Sequence, residues 1–157
     1  MRYPHILLFV ILFLPLQVFA QGKISVGVVN NRVDANFEAT ISDSYLGFGE
    51  TIYVAGSYPG FGKTFYISDN PNIADILLLR PPTPDNPKTA DLRLYIHKNY
   101  PGFGDTFYVA DSYPGFGKTI YFADSYPGFG KSVYIEDPLL RFNKKAIAII
   151  LFKLNQL

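Results

Sequence analysis

Cysteine and tryptophan are absent from this chain, and its one methionine is Met1. Without cysteine no disulfide can staple the fold, and oxidation outside the cell does no harm. Stability has to come from burial and hydrogen bonding alone. Histidine is scarce as well, with His5 near the start and His97 alone in the rest of the chain. Charge is sparse at 17% of residues, while hydrophobic residues reach 48%, so the composition is not that of a disordered segment. The 157 residues suit one domain. Phenylalanine and tyrosine supply the whole aromatic content.

Residues 1–20 have the anatomy of a secretory signal peptide. Arg2 gives a positive start, and Ile6 to Leu14 form an apolar run that is short for a membrane span. Pro15 and Gln17 break the run, and Val18-Phe19-Ala20 precedes Gln21. The mature chain is expected to begin near Gln21, to lie in the periplasm or outside the cell, and to keep no stable membrane span. Basic and acidic residues then balance at thirteen each. A neutral chain lacks the net basic face that nucleic acid requires.

The clearest internal pattern is a 13-residue unit. Phe103-Gly104-Asp105-Thr106-Phe107-Tyr108-Val109-Ala110-Asp111-Ser112-Tyr113-Pro114-Gly115 returns from Phe116 and again from Phe129, and an earlier pair starts at Phe48 and Phe61. Ala74-Asp75 and Ala90-Asp91 open weaker copies in the same register, separated by an irregular loop at 80–89 that holds Pro81, Pro82, Pro84 and Pro87. Further copies start at Ala35 and Phe142. The expected organisation is a signal peptide (1–20), an N-terminal segment (21–34), one β-repeat domain of nine units (35–154) and a short tail (155–157).

Within a unit, residue character alternates with period two, which reads as a strand. In the copy from Phe116, one face carries Phe116, Lys118, Ile120 and Phe122, and it is assigned to the core together with Phe107 and Val109. The other face carries Tyr53, Tyr66, Tyr95, Tyr108, Tyr121 and Tyr134 beside Thr51, Thr64, Thr106 and Thr119, which suits a half-exposed pleated surface. Tyr-Pro-Gly-Phe closes each strand as a type II turn, with glycine at the position that needs positive φ. Charges flank these turns in opposite pairs: Asp111 with Lys118, Asp124 with Lys131, and Lys98 with Asp105 in exchanged sign. Such pairing favours a chain that folds back at Pro-Gly, although Asp43 with Glu50 breaks the rule. Pro-Gly does not suit a tight two-residue hairpin, so a wider turn is expected. The fold class is therefore all-β, a compact array of strand-turn repeats, with an antiparallel meander and a short-coil β-solenoid as alternatives.

The Ala-Asp openings at Ala74-Asp75 and Ala90-Asp91, the 13-residue step, the irregular insertion and the basic, apolar last unit resemble the Septknot family of small bacterial β-repeat proteins. The likeness covers about residues 35–154, and the Tyr-Pro-Gly-Phe-Gly copies depart from the family pattern. The resemblance implies a compact β fold in which the chain can pass through itself as a deep torus knot; it implies no activity, substrate or cofactor. A smaller likeness links Tyr95, Tyr100 and Gly102 to the Tyr-x-x-x-x-Tyr-x-Gly corner of βγ-crystallins, whose units are much longer.

The inventory for catalysis is thin. His97 is read as a surface histidine. Ser44, Ser57, Ser112 and Ser125 stand just before turns, where serine commonly bonds the backbone, and no second histidine is present to activate one. Gly60-Phe61-Gly62-Lys63-Thr64 lacks the spacing and the following helix of a phosphate loop. Asp69, Asp111 and Asp124 do not form a calcium cage. The chain is expected to be no enzyme and to use no metal or cofactor. Three functions follow in order: a structural or interaction module of the cell envelope, a carbohydrate or other flat-ligand binder, and an ice binder. The candidate ligand surface is Tyr95, Tyr108, Tyr121, Tyr134, Thr106 and Thr119, and the expected partner is a protein or a glycan.

Overall fold

The structure is a computed structural model and describes residues 22–157; the expected signal peptide, 1–20, and the expected start at Gln21 lie outside the described residues. Nine strands form a closed barrel: β1 (Gly22–Val28), β2 (Phe37–Ser42), β3 (Glu50–Ala55), β4 (Lys63–Ser68), β5 (Ile76–Leu79), β6 (Leu92–His97), β7 (Asp105–Ala110), β8 (Lys118–Ala123) and β9 (Lys131–Ile135). A short helix α1 (Pro138–Arg141) and a longer one, α2 (Lys144–Lys153), complete the chain. Every strand pair is parallel.

That direction overturns the antiparallel meander and the fold-back at Pro-Gly. Asp111 meets Lys145 at 3.6 Å, and Lys118 lies over the Phe152 ring at 4.3 Å. The turns themselves keep the expected backbone, with Gly60 at φ 83° and Gly115 at φ 87°. Two boundaries also differ from the sequence reading. The segment from Phe142, aligned as a ninth strand unit, is helical, and the ninth strand is β1 from the N-terminal segment. Phe116, assigned to the core face, is 46% exposed in its turn.

Around the barrel the order is β1-β5-β9-β4-β8-β3-β7-β2-β6. Consecutive strands therefore sit two places apart. β1 to β5 occupy alternate places on a first circuit, and β6 to β9 fill the gaps on a second. Parallel strands ordinarily need a crossover of a dozen or more residues. Here residues 56–62 suffice between Ala55 and Lys63, and 111–117 between Ala110 and Lys118. Stagger explains the economy. Ile41 faces Phe107, and Phe107 faces Glu50, so β3 begins level with the end of β2, two strand spacings away. That is about 10 Å, a gap that a short turn spans without returning along the strand.

Each connection crosses the strand that fills the gap, and it does so on the outside. Gly49 lies on Thr106, Gly62 on Thr119, Gly117 on Thr51, Gly130 on Thr64, and Gly104 on Glu38. A different chemistry serves where the crossing residue is aspartate. Asp91 Oδ2 accepts from the Ser25 amide (3.0 Å) and hydroxyl (2.6 Å), while Ser25 Oγ accepts from the Asp91 amide (2.9 Å). Asp75 and Ser132 make the same exchange at 2.7, 2.8 and 3.0 Å. At Asn36, the side-chain oxygen accepts from the Arg93 amide at 2.7 Å.

The inward face matches the assigned core. Phe107, Val109, Ile120 and Phe122 are buried in one cluster with Ile52, Phe65 and Leu94. α2 fills the centre of that cluster. Its residues Ala146 to Leu151 are all buried, and a helix apolar on every side has nowhere else to be stable. Stagger matters here too, because it tilts the strands and widens the barrel beyond what inward side chains alone would fill. Lys145 reaches Asp43 and Asp111 at the strand ends, and Lys153 reaches Asp105 at a strand start, so α2 runs against the strands.

Crossing contact, more than turn geometry, should set the cost of changing these glycines. Gly62 (φ 85°) has the Thr119 carbonyl oxygen 2.5 Å from where a Cβ would sit, whereas Gly60 (φ 83°) has nothing within 4 Å. Gly60→Ala should cost about 1–2 kcal/mol for its left-handed backbone. Gly62→Ala should cost at least about 1 kcal/mol more in urea unfolding, because the crossing must open. Equal costs would show that the crossing is not a tight contact.

Candidate functional site

The outward face is layered. Thr51, Thr64, Thr106 and Thr119 point out but are buried, because the crossing glycines cover them. Thr106 and Thr119 are 6% and 7% exposed and offer little surface, although Thr119 lines the floor of one groove, and the Thr row needed for ordering ice is covered. Tyr108 and Tyr121 are half-buried beneath turn rings: Tyr45 lies 6.1 Å from Tyr108, and Tyr58 lies 6.1 Å from Tyr121. Tyr53 and Tyr66 carry Tyr113 and Tyr126 in the same way, at 5.8 and 6.0 Å. Tyr95 packs on His97 at 4.8 Å, and Tyr134 is half-buried on β9. The six candidate residues thus form an inner layer rather than an open platform.

The open layer is built by the turns. Tyr100 meets Phe48, Tyr45 meets Phe116, Tyr113 meets Phe61, and Tyr58 meets Phe129, all at 5.1–5.2 Å. Four turn tyrosines therefore pack, tilted or edge-on, against the phenylalanine of a neighbouring turn, and a collar of rings runs along the outside of the barrel. These rings are close to half exposed, with Tyr113 at 50% and Phe61 at 46%. They belong to the Tyr-Pro-Gly-Phe turns and to the variant Tyr45-Leu46-Gly47-Phe48. What the sequence conceals is that turns distant along the chain become neighbours. Comparison with family models, curated proteins and solved structures finds no match for this chain.

Grooves open between neighbouring turns. One, of about 310 Å³, is lined by Tyr58, Phe129, Lys63 and Lys131; the next, of about 320 Å³, by Phe61, Tyr113, Lys63 and Lys118. A third of about 270 Å³, with Phe103, Glu38, Asp105 and Lys153, has mixed charge. No helix of the described residues is long and apolar enough to cross a membrane.

His97 is not the surface histidine expected from its position. It is 9% exposed, lies between Tyr95 and Phe103, and its Nε2 meets Glu38 Oε2 at 2.9 Å. An ionised carboxylate only accepts, so Nε2 carries the proton. Arg32 Nε donates to both Glu38 oxygens at 3.0–3.1 Å, and its guanidinium lies 4.0 Å from the Phe103 ring. His97 is here a structural clamp, holding the turn of Phe103 against β2.

Two carboxylates in this part of the barrel ionise more readily than usual. Glu38 is lowered chiefly by its hydrogen bond from His97; burial opposes this, and the hydrogen bond and charge of Arg32 lower it further. Asp91 is lowered by the Ser25 hydroxyl and amide. Both values fall on folding, so the stability they contribute is whole above the usual carboxylate range and is lost as pH drops through it. Urea midpoints should therefore fall between pH 7 and about pH 3, and the fall should be smaller in Glu38→Gln and in Asp91→Asn. An unchanged acid dependence in both variants would show that these contacts do not carry it.

Proposed function

We propose that this chain is an exported, non-catalytic binding module whose working surface is the collar of turn aromatics, and that its ligand is carbohydrate. The observation that carries this reading is the ordered row of half-exposed rings in grooves between turns. Rings held this way stack on the apolar faces of sugars at little entropic cost, because packing on the strand tyrosines has already fixed them. Single exposed apolar residues are ordinary on a soluble protein, whereas a contiguous row of them marks a contact surface. Export is supported by the leader-like start of the sequence, and a role at the cell envelope accords with it.

The chain path is also proposed to be knotted, in keeping with the resemblance to the Septknot family. Two circuits of strands alternate around one barrel, and each connection passes outside a strand of the other circuit. Repeated crossing in one sense is the path of a torus knot. Such threading is very rare among proteins.

A glycan array is expected to show sugar binding that is lost in Tyr58→Ala and Tyr113→Ala while both variants keep an unfolding free energy within about 1 kcal/mol of the parent. Binding unaffected by both changes would remove the collar from the site. For the path, pulling the folded chain by its two ends should stop short of the linear contour of about 3.3–3.6 Å per residue, by the length held in a tightened knot. Full extension would show an unthreaded chain.

A further inference from the structure

Charge is sorted along the strand-start rim of the barrel. β9, β4 and β8 stand side by side and begin with Lys131, Lys63 and Lys118. β3 and β7, next in order, begin with Glu50 and Asp105. The three lysines are spread through the sequence, so only the interleaving of the two circuits makes them neighbours. Lys131 sits beside Phe65, two residues past Lys63, and Lys63 sits beside Ile120, two residues past Lys118. Strand spacing and rise then place successive lysine Cα atoms about 8 Å apart in a regular stair.

Among the described residues, no carboxylate lies within ion-pair distance of these lysines; Lys131 Nζ donates to Gln156 Oε1 at 2.7 Å, and Lys118 Nζ lies over the Phe152 ring. At the opposite rim the basic side chains are paired differently, with Lys145 meeting Asp43 and Asp111, and Arg141 meeting Asp69. Lys63 lies between the two grooves, with the Tyr58–Phe129 pair on one side and the Phe61–Tyr113 pair on the other.

We infer that these two grooves form one site for an acidic oligosaccharide, a sugar chain bearing carboxylate or sulfate groups, which rests on the carbohydrate reading of the collar. The rings take the sugar faces, and Lys131, Lys63 and Lys118 take successive anionic groups as point charges. A neutral glycan would leave the lysine stair unused. The third groove offers no comparable free cation, because its Lys153 is paired with Asp105 and its Glu38 is held by Arg32 and His97, so the site is limited to this arc.

Titration calorimetry with oligogalacturonate, maltohexaose and phosphatidylserine vesicles tests the inference on the mature chain. Oligogalacturonate should bind, and its affinity should fall as salt is raised. Lys63→Gln, Lys118→Gln and Lys131→Gln should each weaken it by about threefold to fivefold, while Lys144→Gln on the far rim leaves it unchanged. Maltohexaose should bind weakly or not at all. If maltohexaose binds as well as oligogalacturonate and the three lysine variants have no effect, acidic specificity is wrong and the collar reading survives. If no sugar binds, both fail. Preference for the vesicles over either sugar would assign the lysines to a lipid surface and overturn the inference.

Discussion

Everything in this barrel depends on one contact, made where a connection lies across the strand that separates its two ends. A parallel array with short connections is possible only if the chain can pass close over a neighbour without a long detour. Closeness leaves no space for a side chain, so Gly49, Gly62, Gly117 and Gly130 sit directly on the Thr106, Thr119, Thr51 and Thr64 backbone. Where the crossing residue is Asp75 or Asp91, the crossed residue is Ser132 or Ser25, and hydrogen bonds replace van der Waals contact. At these six crossings the two halves change together, glycine over threonine and aspartate over serine, while Gly104 crosses Glu38 and Asn36 crosses Arg93. Each solution satisfies or removes polar groups that the crossing would otherwise bury without partners.

Packing inside and charge at the rims follow from the same geometry. The stagger that shortens the connections also widens the barrel, and α2 fills the space. An acid follows five of the strands, as Asp43, Asp69, Asp111, Asp124 and Glu136, and the basic start of the helical segment answers that rim. α2 presents its N-terminus there, where its dipole favours anions, and its C-terminus toward the lysine rim, where it favours cations. These exposed pairs contribute little energy one by one. Their alignment gives the helix one favoured direction in a cylinder whose apolar interior would accept either.

Much of the local structure was legible. Period-two alternation marks the strands from β3 onward and separates Phe107, Val109, Ile120 and Phe122 from the tyrosine face, because a one-residue slip would turn every side chain over. The Pro-Gly turns were legible for an equally local reason, the backbone preferences of two residues. Strand direction was misread from the charges. Asp111 and Lys118 stand seven positions apart with opposite sign because they belong to opposite rims, not because they face one another. The helical fate of residues 144–153 was hidden as well: register aligned them with the strands, but a run apolar on every side becomes helical when it is enclosed rather than added to a sheet.

The sequence by itself determined which face of each strand turns to the core, where the chain bends, and that no disulfide takes part, since each of these is set within a few residues or by composition. Tertiary structure alone decided the rest: that the strands run parallel, that two circuits interleave, that α2 is enclosed, and that Lys63, Lys118 and Lys131 share one arc beneath rings from three turns. The reason is that these are relations between segments far apart in the chain. A stagger of two residues between neighbouring strands leaves no trace in any single unit, yet it sets which units become neighbours and therefore which side chains can act together.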